Sequence, residues 1–136
     1  MRSVTYRPVG PRIVVWACTV LLIIVAIVIG RALPEEMKFR PEQTATIVFM
    51  LLCVVVGAHA IGRSHVTIDD QGLIVVNGFR RHQLDWEDIA VVSMRHGAPW
   101  PTVENRAGER FIMFGIQGSD HEQTRQALQE IRERLQ

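Results

Sequence analysis

Two long uncharged apolar runs fill most of the first half of the chain, and shorter alternating patterns fill the second half. The runs cover residues 13–29 and 44–61, with a short polar segment between them. As a helix rising about 1.5 Å per residue, each run spans about 25 Å, close to the roughly 30 Å of a bilayer's hydrocarbon core. Both runs are rich in β-branched residues, but an open strand in lipid would leave backbone groups unpaired. We therefore predict transmembrane helices at about residues 13–30 and 44–62.

Two other interpretations of these runs have less support. A cleaved signal peptide has an apolar core of about 7–15 residues, which the first run exceeds, and Gly30-Arg31-Ala32 is a poor cleavage site. A buried pair of soluble helices would need a domain around it. The 74 residues after Gly62 are too few to cover two helices that are apolar all round.

The arginines and lysines flanking the runs predict an orientation. Six lie outside the pair and three lie in the connecting loop. The six are Arg2, Arg7, Arg12, Arg63, Arg80 and Arg81, and the three are Arg31, Lys38 and Arg40. Because Lys- and Arg-rich flanks stay in the cytoplasm, we expect a hairpin with both termini cytoplasmic.

From His65 onward the pattern has a period of two, which is typical of short strands. Strands are predicted near residues 65–69, 73–76, 80–84, 89–95, 102–105 and 110–116. Asn77-Gly78 is a strong hairpin signal, and Ala107-Gly108 marks another turn. Asp85-Trp86-Glu87-Asp88 is predicted to be a corner in which Trp86 anchors the core and Asp85 caps the turn.

The last segment has a helical period. Ser119 and Glu122 have the spacing of a capping box. Thr124, Leu128, Ile131 and Leu135 then form one apolar face, with Glu130 and Arg134 as an i,i+4 pair on the exposed side.

The predicted fold class is an α+β membrane protein. A two-helix transmembrane hairpin is followed by a small β-barrel or sandwich capped by a C-terminal α-helix. Residues 1–62 are expected to form a basic N-terminal arm, irregular over residues 1–12, and the hairpin. Residues 63–136 are expected to form a cytoplasmic domain.

The net charge of +1 divides into +3 for residues 1–62 and −2 for residues 63–136. A slightly acidic domain has no electrostatic footprint for nucleic acid and no polybasic patch for anionic lipid. Cys18 and Cys53 lie inside the apolar runs and match no metal or redox spacing, so we interpret them as helix-packing residues.

The sequence offers no constellation that predicts catalysis, a metal or a cofactor. Asp85, Glu87 and Asp88 are the densest carboxylate group, but neighbours in a turn point in different directions and no nucleophile is nearby. The five histidines lack metal-ligand spacing, and phosphate-loop and nucleophile-elbow motifs are missing. We therefore predict a protein that is not an enzyme, with no catalytic, cofactor-binding or metal-binding residues.

Candidate interaction residues come from three places. Trp100 stands between Pro99 and Pro101, so a stiff loop presents an aromatic side chain that could dock a partner, fold into the core or rest on the membrane. Arg80 and Arg81, with His82, form the one basic cluster. Ala58 and Gly62, four residues apart, are candidate helix-packing positions.

The stretch from Asp70-Gln71-Gly72-Leu73 through Asn77-Gly78-Phe79-Arg80-Arg81 to Trp86-Glu87-Asp88-Ile89 resembles a bacterial pleckstrin-homology-like (PH-like) domain. It is most similar to the family named after the low-molecular-weight protein antigen 6 of actinobacteria, and the similarity covers about residues 64–135. The resemblance implies a split barrel closed by the C-terminal helix and attached to the bacterial cytoplasmic (inner) membrane. It implies no catalytic residues. The turn at Asp69-Asp70-Gln71-Gly72 departs from phosphoinositide-binding relatives, because its carboxylates would repel a phosphate.

These observations predict a non-catalytic module, anchored in the inner membrane, that docks or scaffolds a membrane protein partner. Two alternatives stay open: an accessory subunit of a larger inner-membrane complex, and a lipid-sensing domain at the inner leaflet that uses Arg80, Arg81 and Trp100. The expected partners are the lipid bilayer and a membrane protein, without nucleic acid or metal.

Overall fold

The structure is a computed structural model that describes residues 2–136. Its helices and strands, in chain order, are β1 (Val4–Tyr6), α1 (Val9–Ala32), α2 (Pro41–Arg63), β2 (His65–Ile68), β3 (Gly72–Asn77), β4 (Arg80–Asp85), β5 (Ile89–Ser93), β6 (Thr102–Asn105), β7 (Arg110–Ile112) and α3 (His121–Leu135). Single 3-10 turns lie at Glu35–Met37 and Trp86–Asp88. Two long apolar helices followed by a β domain and a C-terminal helix confirm the predicted α+β class.

The chain divides into two compact units. One contains Val9–Ile61, and the other contains residues 2–8 together with Gly62–Gln136. We call them the helical unit and the sheet unit. Because the sheet unit takes residues from both sides of the helical unit, the N-terminal segment belongs with the β domain.

The helical unit consists of α1 and α2, which are 24 and 23 residues long and apolar enough to cross a membrane. Only 6% of the most apolar window of each helix is buried, whereas the core helix of a soluble protein would be mostly covered. Both helices begin a few residues before the predicted bounds. Pro11 and Pro41 lie in their first turns, where the missing N–H of proline has no helical partner to lose.

The less exposed residues of each helix mark one stripe. In α1, from residue 15 onward, they are Val15, Trp16, Thr19, Ile23, Ala26 and Gly30, and in α2 they are Ile47, Leu51, Val55, Ala58 and Gly62. Ala60 is also half-buried but lies on the opposite side of α2. The stripe residues of α1 and those of α2 lie at similar distances from the connecting loop, as expected for the facing sides of two antiparallel helices.

Two small side chains are the most covered residues of that pair. Thr19 is 3% exposed and Ala58 is 2% exposed, and Gly62 is half-buried. The Thr19 hydroxyl donates to the Val15 carbonyl over 2.8 Å, so its polar group is satisfied within α1. Small residues allow two helices to approach closely in lipid. Cys18 and Cys53, in contrast, are exposed, so neither packs within this helix pair, and a packing role against another helix stays a prediction.

The sheet unit contains a four-stranded antiparallel sheet in the order β1-β2-β3-β4 and a three-stranded antiparallel sheet in the order β5-β6-β7. The core residues come from both sheets, from the segment after β7 and from α3. They are Val66, Ile68, Leu73, Val75, Leu84, Ile89, Val92, Val103, Met113, Ile116, Ala127, Leu128 and Ile131. The predicted apolar face of α3 is therefore the one that closes this core, with Thr124 buried and Leu135 packed at its edge.

The N-terminal arm was predicted to be irregular, and that prediction is wrong. Residues 4–6 form β1 and pair with β2, with Val4 opposite Ile68 and Tyr6 opposite Val66. Tyr6 also packs against the core, and its hydroxyl donates to Glu130 Oε2 in α3 over 3.1 Å. A three-residue strand is too short to show a period, and its partner lies about 60 residues away, so no local pattern reveals it.

The predicted capping box at the start of α3 does not form. The helix begins at His121, its N-cap residue is Asp120, and the Asp120 side chain makes no capping hydrogen bond. The Thr124 hydroxyl instead donates to the carbonyl of Gln117. A side chain one turn inside the helix thus ties α3 to the segment before it.

Candidate functional site

The four-stranded sheet has two chemically different ends. At one end lie Tyr6, the last residue of β1, and His65, the first residue of β2, so both connections to the helical unit leave from there. His65 is opposite Val76, and Asn77 is opposite Arg80, which places the β3–β4 turn at the same end. We call it the junction end. The opposite end, formed by the β2–β3 turn and the corner after β4, is the far end.

The junction end carries a hollow of about 290 Å³ on the outer surface of the sheet. Its described lining includes Arg63, Arg80 and Arg81 but no Asp or Glu. The Arg63 guanidinium lies 5.6 Å from the centre of the Phe79 ring, and Phe79 is 62% exposed. We call these four residues and His65 the arginine hollow. Its chemistry suits an anion, because guanidinium groups bind phosphate and carboxylate groups through paired hydrogen bonds.

This hollow corrects two sequence-based predictions. The domain does have a basic patch, because Arg63 from the end of α2 joins Arg80 and Arg81 in space although the net charge is negative. His82 is not part of it. The His82 ring lies 4.7 Å from the Phe111 ring, and His82 does not line the hollow.

The far end collects carboxylates. Asp69, Asp70, Asp85, Glu87 and Asp88 occupy the β2–β3 turn and the corner after β4. Asp69 Oδ1 accepts the N–H groups of Gln71 and Gly72 over 2.9 and 2.8 Å, so this side chain shapes the turn. The turn that would repel a phosphate is therefore at the opposite end of the sheet from the arginine hollow.

The corner after β4 has a structural role. Trp86 packs against the core and its indole N–H donates to the Asp69 carbonyl over 3.0 Å, as an anchoring tryptophan should. Asp85 makes no side-chain capping hydrogen bond, so the predicted cap is wrong; the backbone N–H of Trp86 donates instead to the carbonyl of Gln71. Among residues 2–136, no group of three or more His, Cys, Asp or Glu side chains is placed to hold a metal ion.

Arg134 connects the end of α3 to the far end, a role that the sequence did not reveal. Its Nη1 donates to the Asp69 carbonyl over 2.8 Å and lies 3.3 Å from Asp70 Oδ1. The predicted pair with Glu130 also forms, at 3.6 Å, but both side chains are half-buried and not on an open face. The only signal in the sequence was the i,i+4 spacing.

The proline-rich loop places its three candidate residues in different environments. Pro101 is buried and its carbonyl accepts the N–H of Met113 over 3.0 Å, so it cannot contribute to an exposed surface. The Trp100 ring is half-buried and meets Phe114 edge to face, with ring centres 4.8 Å apart. Its indole N–H is buried without an acceptor among the described residues. Pro99 is exposed.

Tyr6 is the titratable group whose environment is most clearly altered. Burial, followed by the hydrogen bond to Glu130 and the charge of that carboxylate, raises the pKa of Tyr6 to about 12 from 10.0. The shift follows from the attachment of β1 to α3 and does not indicate chemistry at this position.

A family model described as "Bacterial PH domain" matches residues 63–134, from the end of α2 almost to the end of α3. No curated protein and no solved structure matches the chain.

Proposed function

Because this chain belongs to the bacterial PH domain family, we propose that it is a membrane-anchored interaction module whose PH-like domain docks a membrane protein partner. The observation that carries the proposal is the β1–β2 pairing across the hairpin. Two residues separate β1 from α1, and one residue separates α2 from β2. A domain tied to its anchor by two such short links is confined to the membrane surface.

The same pairing favours two transmembrane helices over a single one left after cleavage of a signal peptide. Since β1 and β2 lie in one sheet, we expect the start of α1 and the end of α2 to lie on the same side of a bilayer. Removal of α1 as a signal peptide would also remove β1. Together with the excess of arginines outside the pair, this supports an inner-membrane hairpin with both termini in the cytoplasm.

A non-catalytic role fits the family, because PH-like domains are generally binding modules. The densest carboxylates of the chain shape turns at the far end, and no buried nucleophile lies beside them in the described residues. The module could equally serve as the accessory subunit of a larger inner-membrane complex. From the resemblance described above, we further propose that the domain belongs to the antigen 6 family of actinobacteria.

Cross-linking in intact membranes tests the proposal. A photoreactive residue at exposed positions of the sheet unit, one at a time, should give a discrete cross-linked product with another membrane protein. The complex should also survive purification in mild detergent. A full-length chain that cross-links to nothing and purifies alone as a monomer would contradict it.

The arginine hollow favours a second candidate function, contact with anionic lipid headgroups. Arg63, Arg80 and Arg81 line one hollow at the end of the sheet from which both helices leave, and Phe79 presents an exposed ring beside them. Basic residues near an anionic leaflet contribute about 1 kcal/mol each.

This candidate can be tested on the full chain in nanodiscs. Amide exchange of residues 78–81 should slow when phosphatidylglycerol replaces phosphatidylcholine, since headgroups would cover the turn. The double variant R80E/R81E should lose that protection, whereas Arg106→Glu, an exposed arginine outside the hollow, should keep it. Equal exchange in the two lipids would exclude headgroup contact.

A further inference from the structure

A groove of about 800 Å³ lies between α3 and the loop that follows β5. One wall is formed by residues 94–99, and the other by residues 117–119 with His121, Leu128 and Arg132 of α3. We call it the α3 groove. It belongs entirely to the sheet unit and is separate from the arginine hollow.

The walls of the α3 groove are held in place by backbone contacts. The N–H of Gly118 donates to the Pro99 carbonyl over 2.8 Å, which joins the two walls. A Cβ at Gly118 would lie 2.7 Å from Met94 Cε and 2.8 Å from the Ala98 carbonyl oxygen, so the walls meet too closely for any other residue. The N–H of Ala98 donates to the Arg95 carbonyl over 3.0 Å, which fixes the loop. The groove is therefore preformed, so that binding a ligand loses little conformational entropy from its walls.

The lining of the groove combines an apolar floor with a cationic rim. Its apolar side chains are Met94, Ala98, Pro99 and Leu128, its basic or titratable ones are Arg95, His96, His121 and Arg132, and its described lining includes no Asp or Glu. In a domain with more carboxylates than arginines, a rim that carries Arg95 and Arg132 and no described carboxylate is a local feature of this surface.

A second hollow of about 510 Å³ continues along α3 and shares Leu128 and Arg132 with the groove. It adds Arg125, and Glu133 is the one carboxylate along it. His121, Arg125, Leu128 and Arg132 are spaced 4, 3 and 4 residues apart, so they form one stripe along the helix. The stripe is about 16 Å long at about 1.5 Å per residue, which matches an extended segment of about five residues.

We propose that the α3 groove binds an acidic segment of the protein partner, with apolar side chains on Met94 and Leu128 and carboxylates on Arg95 and Arg132. The proposal rests on the proposed docking function and specifies the chemistry of the partner. Charge complementarity selects this occupant, because a cationic rim repels a basic segment and leaves a neutral one without ion pairs.

Binding of a defined peptide to the full chain in nanodiscs of zwitterionic lipid tests the idea. The probe is a fluorescent peptide of about ten residues with two leucines spaced among glutamates, and its matched control has lysines in place of the glutamates. The glutamate peptide should bind about tenfold more tightly, and replacing its leucines by serine should weaken binding further.

Charge reversal on the protein should invert this preference. The double variant R95E/R132E should bind the glutamate peptide about tenfold more weakly than the wild type and should prefer the lysine peptide. Arg106→Glu, which lies outside the groove, should behave as the wild type. Because all variants are measured in nanodiscs of the same lipid, partition of the peptide into the lipid contributes equally to each measurement and does not affect the comparison. Absence of a preference for the acidic peptide, or equal binding by R95E/R132E, overturns the proposal.

Two further results separate this proposal from its premises. If R95E/R132E still cross-links to its partner in membranes at the wild-type level, the groove proposal fails and the docking function stands. If the wild type cross-links to nothing, the docking function itself fails. Should Arg95 and Arg132 instead control binding to phosphatidylglycerol vesicles, with no effect on the peptide, the groove is a lipid contact and the peptide proposal is wrong.

Discussion

Tyr6 shows how much one side chain can contribute to a three-residue strand. Its ring packs against the core of the sheet unit, and its hydroxyl reaches Glu130 on α3. Glu130 also faces Arg134, which holds the β2–β3 turn. The first strand and the last helix are therefore joined through one short chain of polar contacts.

Tyr6→Phe should lower the free energy of unfolding of the full chain by about 0.5–1.5 kcal/mol near neutral pH, because it removes one hydrogen bond and keeps the ring. Chemical denaturation in detergent, followed by tryptophan fluorescence, measures the change. Thr5→Val on the exposed side of the same strand removes a hydroxyl contact with Thr67 and should cost less. A neutral effect of Tyr6→Phe would show that the Glu130 contact does not stabilise β1.

The stability contributed by the Tyr6 hydroxyl should depend on pH in the alkaline range. The folded-state pKa of about 12 exceeds the ordinary value of 10.0, so the unfolded chain loses its phenol proton first. The stability difference between the wild type and Tyr6→Phe is thus fully present below pH 10 and declines as the pH rises to about 12. Denaturation of both proteins across that range measures it, and a constant difference would contradict the shift.

At this scale the sequence predicted the burial of side chains better than their hydrogen bonds, since the Asp85 cap and the capping box at Ser119 do not form. The anchoring of Trp86 and the buried face of α3 follow from nearby residues and were predicted correctly. The bonds of Arg134 to Asp69 and of Tyr6 to Glu130 connect residues 65 and 124 positions apart. No spacing rule links such positions, so only the folded chain reveals them.

Strand β1 is the element that the alternating pattern could not predict. Deleting residues 2–6 should expose the edge of β2 and uncover part of the core, since Val4 and Tyr6 cover Ile68 and Val66. Amide exchange of residues 65–68 in the full chain should then become at least tenfold faster. As a control, deletion of residues 2–3 alone leaves the strand intact and should change little. Unaltered protection after the longer deletion would show that the domain is complete without β1.

The matched stripes of α1 and α2 make a second prediction about elements. With Cys18 and Cys53 replaced by alanine, the pair Thr19→Cys and Ala58→Cys should form a disulfide on mild oxidation, because both positions are buried on facing stripes. The pair Val20→Cys and Val56→Cys, which are 52% and 54% exposed, should not. Gel mobility after proteolysis in the connecting loop distinguishes the two. Equal cross-linking of both pairs would contradict the assigned faces.

Element type followed from periodicity wherever the element was long or formed a hairpin with its neighbour. The two apolar helices, the strands around Asn77-Gly78 and the final helix were all predicted from local patterns. The two apolar helices begin earlier than predicted because proline is tolerated in the first turn of a helix, as at Pro11 and Pro41. The arginine hollow was missed because Arg63 and Arg80 lie 17 positions apart and meet only when β2, β3 and β4 pair.

For the whole molecule, the shared sheet predicts which positions lie on the same side of the membrane. In a variant without Cys18 and Cys53, an impermeant maleimide applied to intact spheroplasts should label Glu36→Cys, in the loop between the helices. It should not label Ser3→Cys or Ser119→Cys until the membrane is opened; all three positions are exposed. Labelling of Ser3→Cys and Ser119→Cys from opposite sides would contradict the hairpin. Labelling of both without opening would invert the orientation.

The distribution of charge also becomes clear only for the whole domain. Carboxylates gather at the far end, and Arg63, Arg80 and Arg81 gather at the junction end. A sum over residues 63–136 gives −2 and hides this separation. If the domain lies at an anionic leaflet, as proposed, this separation of charge would favour its basic end facing the lipid, within the Debye length of roughly 8 Å at physiological salt.

If α1 and α2 both cross a bilayer, as proposed, the division of one sheet by the two helices also has a consequence during biosynthesis. The ribosome makes β1 first, but its partner β2 emerges only after both helices. If only one helix inserted into the membrane, β1 and β2 would lie on opposite sides of it. The edge of β2 would then stay unpaired, and proteases and holdase chaperones can recognise such an edge. Completion of the sheet would thus depend on the insertion of both helices.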